Sequence, residues 1–213
     1  MQTTDYMIKV ATNEGMIELE SVLYAPNQAK SIVCIITHPY SLWGGSMSNN
    51  VVVGVRIQLL KGKYPCVTFN FRGVGKSSGV RGKGIEEQKD FISVCDFCLN
   101  KLKFSQLFIV GYSFGGLVSL AASDRLKNII GMALISYPRG FLDYADPNYN
   151  PEFPILLIHG EQDELIPISQ IHLLIRNFHM PITLKTIRTD HFYAGKEQLV
   201  GEIIRDFVNA LEI

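Results

Sequence analysis

The sequence predicts an α/β fold built on a mostly parallel central sheet of about eight strands, with an antiparallel hairpin at the amino end and helices on both faces. Short apolar runs of the length of buried strands recur along the chain, and most of them are followed by a segment with helical periodicity. Ahead of these runs, apolar and polar residues alternate next to a turn, which is typical of a half-buried hairpin. Together these patterns favour parallel strands joined by crossover helices behind an amino-terminal hairpin.

The hairpin is the first predicted element. Its strands cover residues 8–11 and 16–24, and Asn13-Glu14-Gly15 forms the turn between them. Apolar runs then predict six buried strands, at residues 31–37, 66–71, 106–111, 129–136, 153–159 and 182–187. The hairpin and these runs together account for the strands of the predicted sheet.

Two segments carry the clearest helical stripe, in which apolar residues recur at i, i+3, i+4 and i+7. The first spans residues 91–102 and the second spans residues 199–211. A third helix is predicted over residues 49–61, because Asn49 favours its start and Gly62 favours its end. Each of these helices is expected to lie on a face of the sheet.

Length and composition exclude several classes of protein. The chain has 213 residues, which favours a single domain over residues 1–213. The 20 Lys and Arg residues balance 20 Asp and Glu residues, so the net charge gives no attraction for nucleic acid or an anionic membrane. The amino end lacks the pattern of a secretory signal, and no apolar run is long enough to span a bilayer. We therefore expect a cytoplasmic protein without membrane insertion, whose four cysteines are thiols.

The strongest functional signal is Gly111-Tyr112-Ser113-Phe114-Gly115, which lies between a predicted strand and a helical segment of small and apolar residues. A serine at a sharp strand-to-helix turn presents its hydroxyl above the carboxyl edge of the sheet, and this is the context of a nucleophile elbow. Such a turn leaves no room for side chains near the serine, which explains on steric grounds why positions 111 and 115 are glycine. Ser113 is therefore the candidate nucleophile.

A serine hydroxyl needs a base to take its proton and an acid to hold that base in the right tautomer. Asp163 comes shortly after the predicted strand at residues 153–159, and His191 comes shortly after the predicted strand at residues 182–187. Both are thus expected at the same edge of the sheet as Ser113. The chain order Ser, Asp, His predicts a catalytic triad of these three residues.

Other acidic residues near these positions are alternatives for the triad acid. An aspartate at position 163 is also compatible with a helix cap or a turn, and Glu161 or Glu164 is close enough along the chain to take its place. Asp190 is a weaker candidate, because adjacent residues in an extended chain point in opposite directions. Of the remaining histidines, His38 and His159 end predicted strands, where an imidazole ring can simply satisfy backbone groups.

The tetrahedral intermediate of acyl transfer needs two backbone N–H donors, which form an oxyanion hole. We expect the amide of Phe114, the residue after the nucleophile, to supply one of them. The second is expected from the loop that follows the predicted strand at residues 31–37. In that loop Pro39 has no N–H, so Tyr40 is the first candidate donor and Ser41 is the next.

Two further motifs are interpreted as structural. The segment Gly-Val-Gly-Lys-Ser at residues 73–77 resembles the end of a phosphate-binding loop, but Asn70 stands where such a loop needs its first glycine, and more glycines follow instead of a helix. Cys95 and Cys98 have the spacing of a metal or redox pair, but they belong to the apolar stripe of the predicted helix at residues 91–102. The sequence therefore predicts no nucleotide hydrolysis, metal site or cofactor.

Taken together, the motifs resemble the α/β-hydrolase superfamily, and in particular its small lidless serine esterases grouped with dienelactone-hydrolase-like enzymes. The resemblance runs over nearly the whole chain and rests on the segments at residues 38–45, 69–79, 111–116, 159–163 and 190–192. It implies the α/β-hydrolase fold, a Ser-Asp-His triad and hydrolysis of a carboxylic ester or related acyl bond in a small-molecule substrate. The loop that begins His-Pro-Tyr departs from the His-Gly-Gly pattern of the family, which leaves the second oxyanion donor open.

The substrate pocket is expected to involve Trp43, Tyr112, Tyr137 and Phe141. The connection at residues 136–153 is a loop too short for a substantial helical lid, which favours small or accessible substrates. The sequence does not select among ester, thioester, lactone and small amide substrates, and it leaves the oligomeric state open. A non-catalytic binding or scaffold protein with the same fold is the alternative, because filled triad positions do not guarantee turnover.

Overall fold

One sheet of eight strands runs through the described part of the chain. The computed structural model describes residues 1–139, 151–176, 178 and 182–211. The strands are β1 (Gln2–Thr12), β2 (Gly15–Ala25), β3 (Ile32–Thr37), β4 (Cys66–Phe69), β5 (Gln106–Tyr112), β6 (Ile129–Ile135), β7 (Ile155–Gly160) and β8 (Ile182–Ile187). Their order is β1-β2-β4-β3-β5-β6-β7-β8; β1–β2 and β2–β4 pair antiparallel, and the other neighbours pair parallel. The predicted mostly parallel sheet with an antiparallel hairpin is confirmed.

The hairpin is longer than its alternating sequence pattern indicates. β1 and β2 pair from Gln2 with Ala25 to Thr12 with Gly15. Alternation is visible only where one face of β1 is buried, as at Ile8, whereas the residues nearer the amino end are exposed or half-buried. Backbone hydrogen bonds extend the ladder there without an apolar signal. The predicted first strand is thus the buried part of a longer one.

Five α-helices of the described residues cover both faces of the sheet. They are α1 (Asn50–Lys61), α2 (Ile85–Asp96), α3 (Phe114–Ala122), α4 (Ile168–Arg176) and α5 (Glu197–Ala210). The apolar residues of α1 and α5 belong to one core layer, and those of α2, α3 and α4 belong to the other. Helices on both faces are therefore confirmed. None of the described helices combines the length and the hydropathy that a membrane span requires.

The ends of α1 follow its predicted capping residues. The Asn49 side chain accepts a hydrogen bond from the Val51 amide at 2.9 Å, and Gly62 directly follows the last residue of the helix. Val51, Val52 and Val55 are buried in the core layer shared with α5. Their burial outweighs the weak helix propensity of β-branched residues, so tertiary packing and caps together determine this helix.

The phosphate-loop-like segment and the cysteine pair have structural roles. The Lys76 amide donates a hydrogen bond at 2.9 Å to the carboxylate of Glu20 on β2, so this amide already has an acceptor within the protein. The next helix after this segment is α2, which begins at Ile85. Cys95 and Cys98 are free thiols inside the core, and burial raises the pKa of Cys98 to about 12. All four cysteines are free and buried, as the sequence predicts.

Candidate active site

The three predicted triad residues meet at the carboxyl edge of the parallel strands. Ser113 directly follows β5, Asp163 follows β7 and His191 follows β8. Because these strands run parallel and lie in the same half of the sheet, the loops after them converge. The three residues expose only 7%, 6% and 4% of their surface, so the group is largely shielded from water.

Ser113 occupies a strained turn between β5 and α3. Its φ of 50° and ψ of −118° lie outside the regions that residues other than glycine ordinarily adopt. A Cβ on Gly111 would lie 2.3 Å from Cα of Gly116, and a Cβ on Gly115 would lie 2.6 Å from the carbonyl oxygen of His38. Both glycines are therefore needed on steric grounds. This geometry is that of the predicted nucleophile elbow.

A continuous hydrogen-bonded path joins Ser113, His191 and Asp163. Nδ1 of His191 lies 2.8 Å from Oδ2 of Asp163, and Nε2 of His191 lies 3.2 Å from Oγ of Ser113. Because the carboxylate accepts the Nδ1–H, the neutral ring presents Nε2 as an acceptor to the serine hydroxyl. This is the tautomer in which His191 can take the proton of Ser113.

Four hydrogen bonds hold the carboxylate of Asp163 in place. Oδ1 accepts from the amides of Leu165 and Ile166 at 3.1 and 2.9 Å, and Oδ2 accepts from His191 and from the Ser136 hydroxyl, each at 2.8 Å. Burial alone would raise the pKa of Asp163, but the hydrogen bonds from His191, Ile166 and Ser136 and the charge of His191 lower it below its ordinary value. The carboxylate is thus kept ionised and oriented.

Ser136 and Tyr193 form a second layer behind Asp163 that the sequence motifs did not indicate. The hydroxyl of Ser136 lies 2.8 Å from that of Tyr193, whose hydroxyl also lies 3.4 Å from the carbonyl oxygen of Ile158. Since Ser136 donates its proton to Asp163, Tyr193 donates to Ser136. Both residues are fully buried and have positive φ, 43° for Ser136 and 56° for Tyr193. Their strained backbone is consistent with a constrained functional site.

Tyr112, a predicted pocket residue, lies behind His191 in the structure. Its side chain is 2% exposed, and its hydroxyl donates a hydrogen bond at 2.7 Å to the carbonyl oxygen of His191. Tyr112 precedes Ser113 at the end of β5 and points into the core layer formed by α1 and α5. It therefore supports the backbone of His191 and does not line the cleft.

The alternative acids bind other groups. Oδ1 of Asp190 accepts hydrogen bonds from the amides of Phe192 and Tyr193 at 2.9 and 3.2 Å, which shapes the turn that carries His191. Glu161 is exposed and accepts a hydrogen bond from the hydroxyl of Thr186 at 3.0 Å. Glu164 is exposed as well. Among these candidates the structure brings Asp163 to His191.

His159 supports the loop of Asp163 through the backbone, as its position at a strand end suggested. Nε2 of His159 lies 2.8 Å from the carbonyl oxygen of Ile166, whose amide donates to Asp163. Burial lowers the pKa of His159, which keeps the ring neutral with its proton on Nε2. The buried ring thus fixes the turn that supplies amides to the carboxylate.

The loop at residues 38–45, called the oxyanion loop below, passes beside Ser113. The Tyr40 carbonyl accepts hydrogen bonds from the amides of Trp43 and Gly45, each at 3.1 Å, which folds the loop into a tight turn. Nδ1 of His38 lies 2.7 Å from the carbonyl oxygen of Pro39, and Nε2 accepts from the Phe71 amide at 3.1 Å. Burial lowers the pKa of His38 to about 4, so the ring is neutral and ties the loop to the chain after β4.

The predicted oxyanion residues lie together with the nucleophile. Phe114 is the first residue of α3, so its amide has no acceptor within the helix and lies at the positive end of the helix dipole. Tyr40 and Phe114 line one cleft with Ser113, and their rings are 5.2 Å apart. Both residues thus lie in the same cleft as the Ser113 side chain.

The cleft above Ser113, called the triad cleft below, is small. Its volume is about 70 Å³, and it is lined by Tyr40, Trp43, Ser113, Phe114, Pro138, Leu165, Ile166 and His191. The predicted pocket residue Trp43 is therefore at the site, with 61% of its surface exposed. The predicted pocket residue Tyr137 is 1% exposed and packs in the core, whereas its neighbour Pro138 lines the cleft. Phe141 lies outside the described residues.

Acidic, cysteine and histidine side chains do not cluster into a metal site. In the described part of the chain, no group of three or more such residues has an arrangement that would hold a metal ion.

Known proteins resemble the chain in sequence and in fold. A family model described as alpha/beta hydrolase fold matches residues 43–153. An alpha-beta serine hydrolase homologue from Coxiella burnetii is 27% identical, with a TM-score of 0.86 and 98% of each chain covered. A serine hydrolase without a lid from Xanthomonas campestris is also 27% identical, with a TM-score of 0.85 and with 99% of this chain and 96% of that chain covered. An uncharacterised protein of Rickettsia prowazekii (strain Madrid E) is 26% identical, with 84% of this chain and 79% of that protein covered.

Proposed function

The chain belongs to the α/β hydrolase fold family, and we propose that it is a serine hydrolase that cleaves a carboxylic ester or a related acyl bond through an acyl-enzyme on Ser113. The observation that carries this proposal is the hydrogen-bonded path from Ser113 through His191 to Asp163. The likeness to two serine hydrolases over nearly the whole chain supports it. Thioesters, lactones and small amides present the same carbonyl group and belong to the same proposal.

In the first step Oγ of Ser113 attacks the acyl carbonyl carbon. A bond forms between Oγ and that carbon, the π electrons move to the carbonyl oxygen, and the hydroxyl proton passes to Nε2 of His191. The amides of Phe114 and Tyr40 donate hydrogen bonds to the new oxyanion. A single donor of this kind typically contributes a rate factor of about 10²–10³.

In the second step the tetrahedral intermediate collapses. The bond to the leaving alcohol breaks, and the imidazolium of His191 returns the proton to the leaving oxygen. Water then attacks the acyl-enzyme with His191 as the base, which releases the acid and regenerates Ser113. Asp163 stays ionised throughout, because the hydrogen bonds to its carboxylate hold its pKa low, and it stabilises the imidazolium.

Hydrolysis of 4-nitrophenyl acetate and butyrate by purified protein tests the proposal. We expect Ser113→Ala and His191→Gln each to lower kcat/KM roughly 10³-fold or more. Ser169→Ala and Ser105→Ala are matched controls, because both serine side chains are exposed. They are expected to change kcat/KM less than two-fold.

Two outcomes would overturn the proposal. One is that the folded wild-type protein hydrolyses no ester or thioester. The other is that turnover persists in Ser113→Ala at a rate near that of the wild type. The first outcome would favour the non-catalytic binding protein, in which the same cleft holds a ligand without cleaving it.

A further inference from the structure

A second cleft opens next to the triad cleft. It has a volume of about 300 Å³ and shares Tyr40 and Phe114 with the triad cleft, but neither Ser113 nor His191 lines it. Its walls come from the oxyanion loop, from the chain after β4 and from the segment that leads into α2. The volume is at the lower end of the range of about 300–1,000 Å³ that small-molecule sites occupy.

The geometry of acyl transfer determines which part of a substrate this second cleft receives. His191 protonates the leaving group, so the leaving alcohol lies on the His191 side, in the triad cleft. The carbonyl oxygen points towards the proposed donors on Phe114 and Tyr40. The acyl chain extends from the carbonyl carbon on the side away from His191, and the cleft that continues past Tyr40 and Phe114 is the second cleft.

The body of the second cleft is apolar and aromatic. Leu42 and Tyr40 line it from the oxyanion loop, and Phe71 and Phe114 line it from the sheet side. The rings of Phe71 and Phe114 pack edge to face with centroids 5.8 Å apart and form an aromatic wall. Such a wall favours a hydrocarbon segment over a polar one.

Three cations line the same cleft, and one of them, Arg72, is ion-paired with Asp90. Asp90 accepts hydrogen bonds from Nε and Nη2 of Arg72 at 3.0 and 2.6 Å, but Nη1 forms none with the described residues. Arg72 is 6% exposed as a whole, but Nη1 is not one of the buried polar atoms that lack a partner, so this donor is open to solvent. Arg81 and Lys83 line the cleft as exposed cations.

The carboxylate of Glu87 also lines the cleft but is directed at the backbone. It accepts hydrogen bonds from the amides of Gly82 and Gly84 at 2.6 and 2.8 Å. These amides stabilise the charge of Glu87, whereas Arg72 is already paired with Asp90. An anionic ligand group would therefore meet mainly the unused face of Arg72 and the side chains of Arg81 and Lys83.

We propose that the second cleft binds the acyl group of the substrate, and that this acyl group carries a carboxylate at the end remote from the scissile bond. The substrate is thus a half-ester of a dicarboxylic acid or a compound of that chemistry. The apolar wall holds the hydrocarbon segment, and the cations hold the carboxylate. This inference rests on the proposed function, because it needs an acyl group attached at Ser113.

A pair of esters with matched acyl length isolates the carboxylate. Monomethyl adipate and methyl hexanoate have six-carbon acyl groups and the same leaving alcohol, and they differ in the terminal carboxylate. We expect the wild type to favour monomethyl adipate about five-fold in kcat/KM at low ionic strength, because exposed charge pairs contribute modestly and are screened by salt. Methanol release measures both reactions.

The double variant Arg81→Gln/Lys83→Gln tests the cations without touching the buried ion pair, since removal of Arg72 would leave Asp90 buried and unpaired. We expect the preference to disappear while kcat/KM for methyl hexanoate stays within two-fold. Lys9→Gln, which removes an exposed charge on β1, is the matched control and is expected to retain the preference.

A second ester pair places the carboxylate on the alcohol side. Here 6-acetoxyhexanoate is compared with hexyl acetate, and we expect the double variant to leave their ratio unchanged. A change in this ratio instead of the acyl ratio would overturn the assignment of the cleft to the acyl group. Hydrolysis of both methyl esters without a preference for the adipate half-ester, or with a preference that survives in the double variant, would overturn the inference alone. Absence of Ser113-dependent hydrolysis of every ester would overturn the proposed function as well.

Discussion

Replacement of Ser136 by alanine tests whether the second layer behind Asp163 positions the triad. The variant removes the hydroxyl that donates to Oδ2 of Asp163 at 2.8 Å and leaves the carboxylate with three of its four hydrogen bonds. A hydrogen bond to a charged group contributes about 1.5–3 kcal/mol, so we expect the free energy of unfolding at pH 7 to fall by about 2 kcal/mol. Loss of the donor also raises the pKa of Asp163 towards its ordinary value.

The expected effect on activity is moderate. Oδ2 keeps its bond to His191, while the two amides of Leu165 and Ile166 still fix Oδ1, so the carboxylate remains near its place. We expect kcat to fall about ten-fold, less than the roughly 10²-fold loss that a displacement of 1 Å produces. The difference in unfolding free energy between the wild type and Ser136→Ala should be largest at pH 7. It should shrink as the pH falls into the range in which Asp163 is protonated, because the lowered pKa of Asp163 stabilises the fold only above that range.

Tyr193→Phe is the matched control for this prediction. It removes the hydroxyl one step further from Asp163 and leaves the bond between Ser136 and Asp163 intact. We expect a loss of about 1 kcal/mol in unfolding free energy and less than a three-fold change in kcat. Urea unfolding and kcat for 4-nitrophenyl acetate, both followed from pH 4 to 8, measure these quantities. If Ser136→Ala loses stability but keeps kcat within two-fold of the wild type, Ser136 only supports the fold and the reasoning is refuted.

Three further predictions concern the acid, the elbow and the oxyanion loop. Asp163→Asn should lower kcat about 10⁴-fold, because the amide stabilises the wrong tautomer of the histidine; a loss of only a few-fold in ester hydrolysis would show that another group is the acid. Gly115→Ala should reduce the free energy of urea unfolding by about 1–3 kcal/mol, because its Cβ would lie 2.6 Å from a backbone oxygen, and unchanged stability would contradict this steric reading. As the pH falls from 6.5 to 4, the free energy of unfolding of the wild type should decrease by about 3 kcal/mol relative to that of His38→Gln. In this range His38 becomes protonated in the unfolded chain, whereas the buried ring stays neutral until about pH 4. Parallel pH dependences of unfolding in the two proteins would rule out this contribution of His38.

The sheet and the triad positions were predictable because their signals are local. A buried parallel strand is apolar over most of its length, as at β3, β5 and β7. An elbow serine needs glycines beside it, and these are visible in the sequence. The positions of Asp163 and His191 could be predicted because the carboxyl ends of parallel strands lie at one edge of the sheet.

The second layer of the site could not be predicted, because it is assembled by tertiary contacts. Ser136 follows β6 and Tyr193 follows β8, and no motif joins them along the chain. Tyr112 is next to Ser113 in sequence, but its side chain packs in the core layer of α1 and α5, whereas Oγ of Ser113 faces Nε2 of His191. The second cleft is likewise formed by segments that are distant in sequence.

The central claim is that His191 and Asp163 activate Ser113 as a nucleophile. Labelling of the folded protein with a fluorophosphonate probe, followed by peptide mapping by mass spectrometry, tests it most directly. We predict one adduct, on the peptide that contains Ser113, which is absent in Ser113→Ala and strongly slowed in His191→Gln. A wild-type protein that stays unlabelled, or an adduct that persists in Ser113→Ala, would contradict the account.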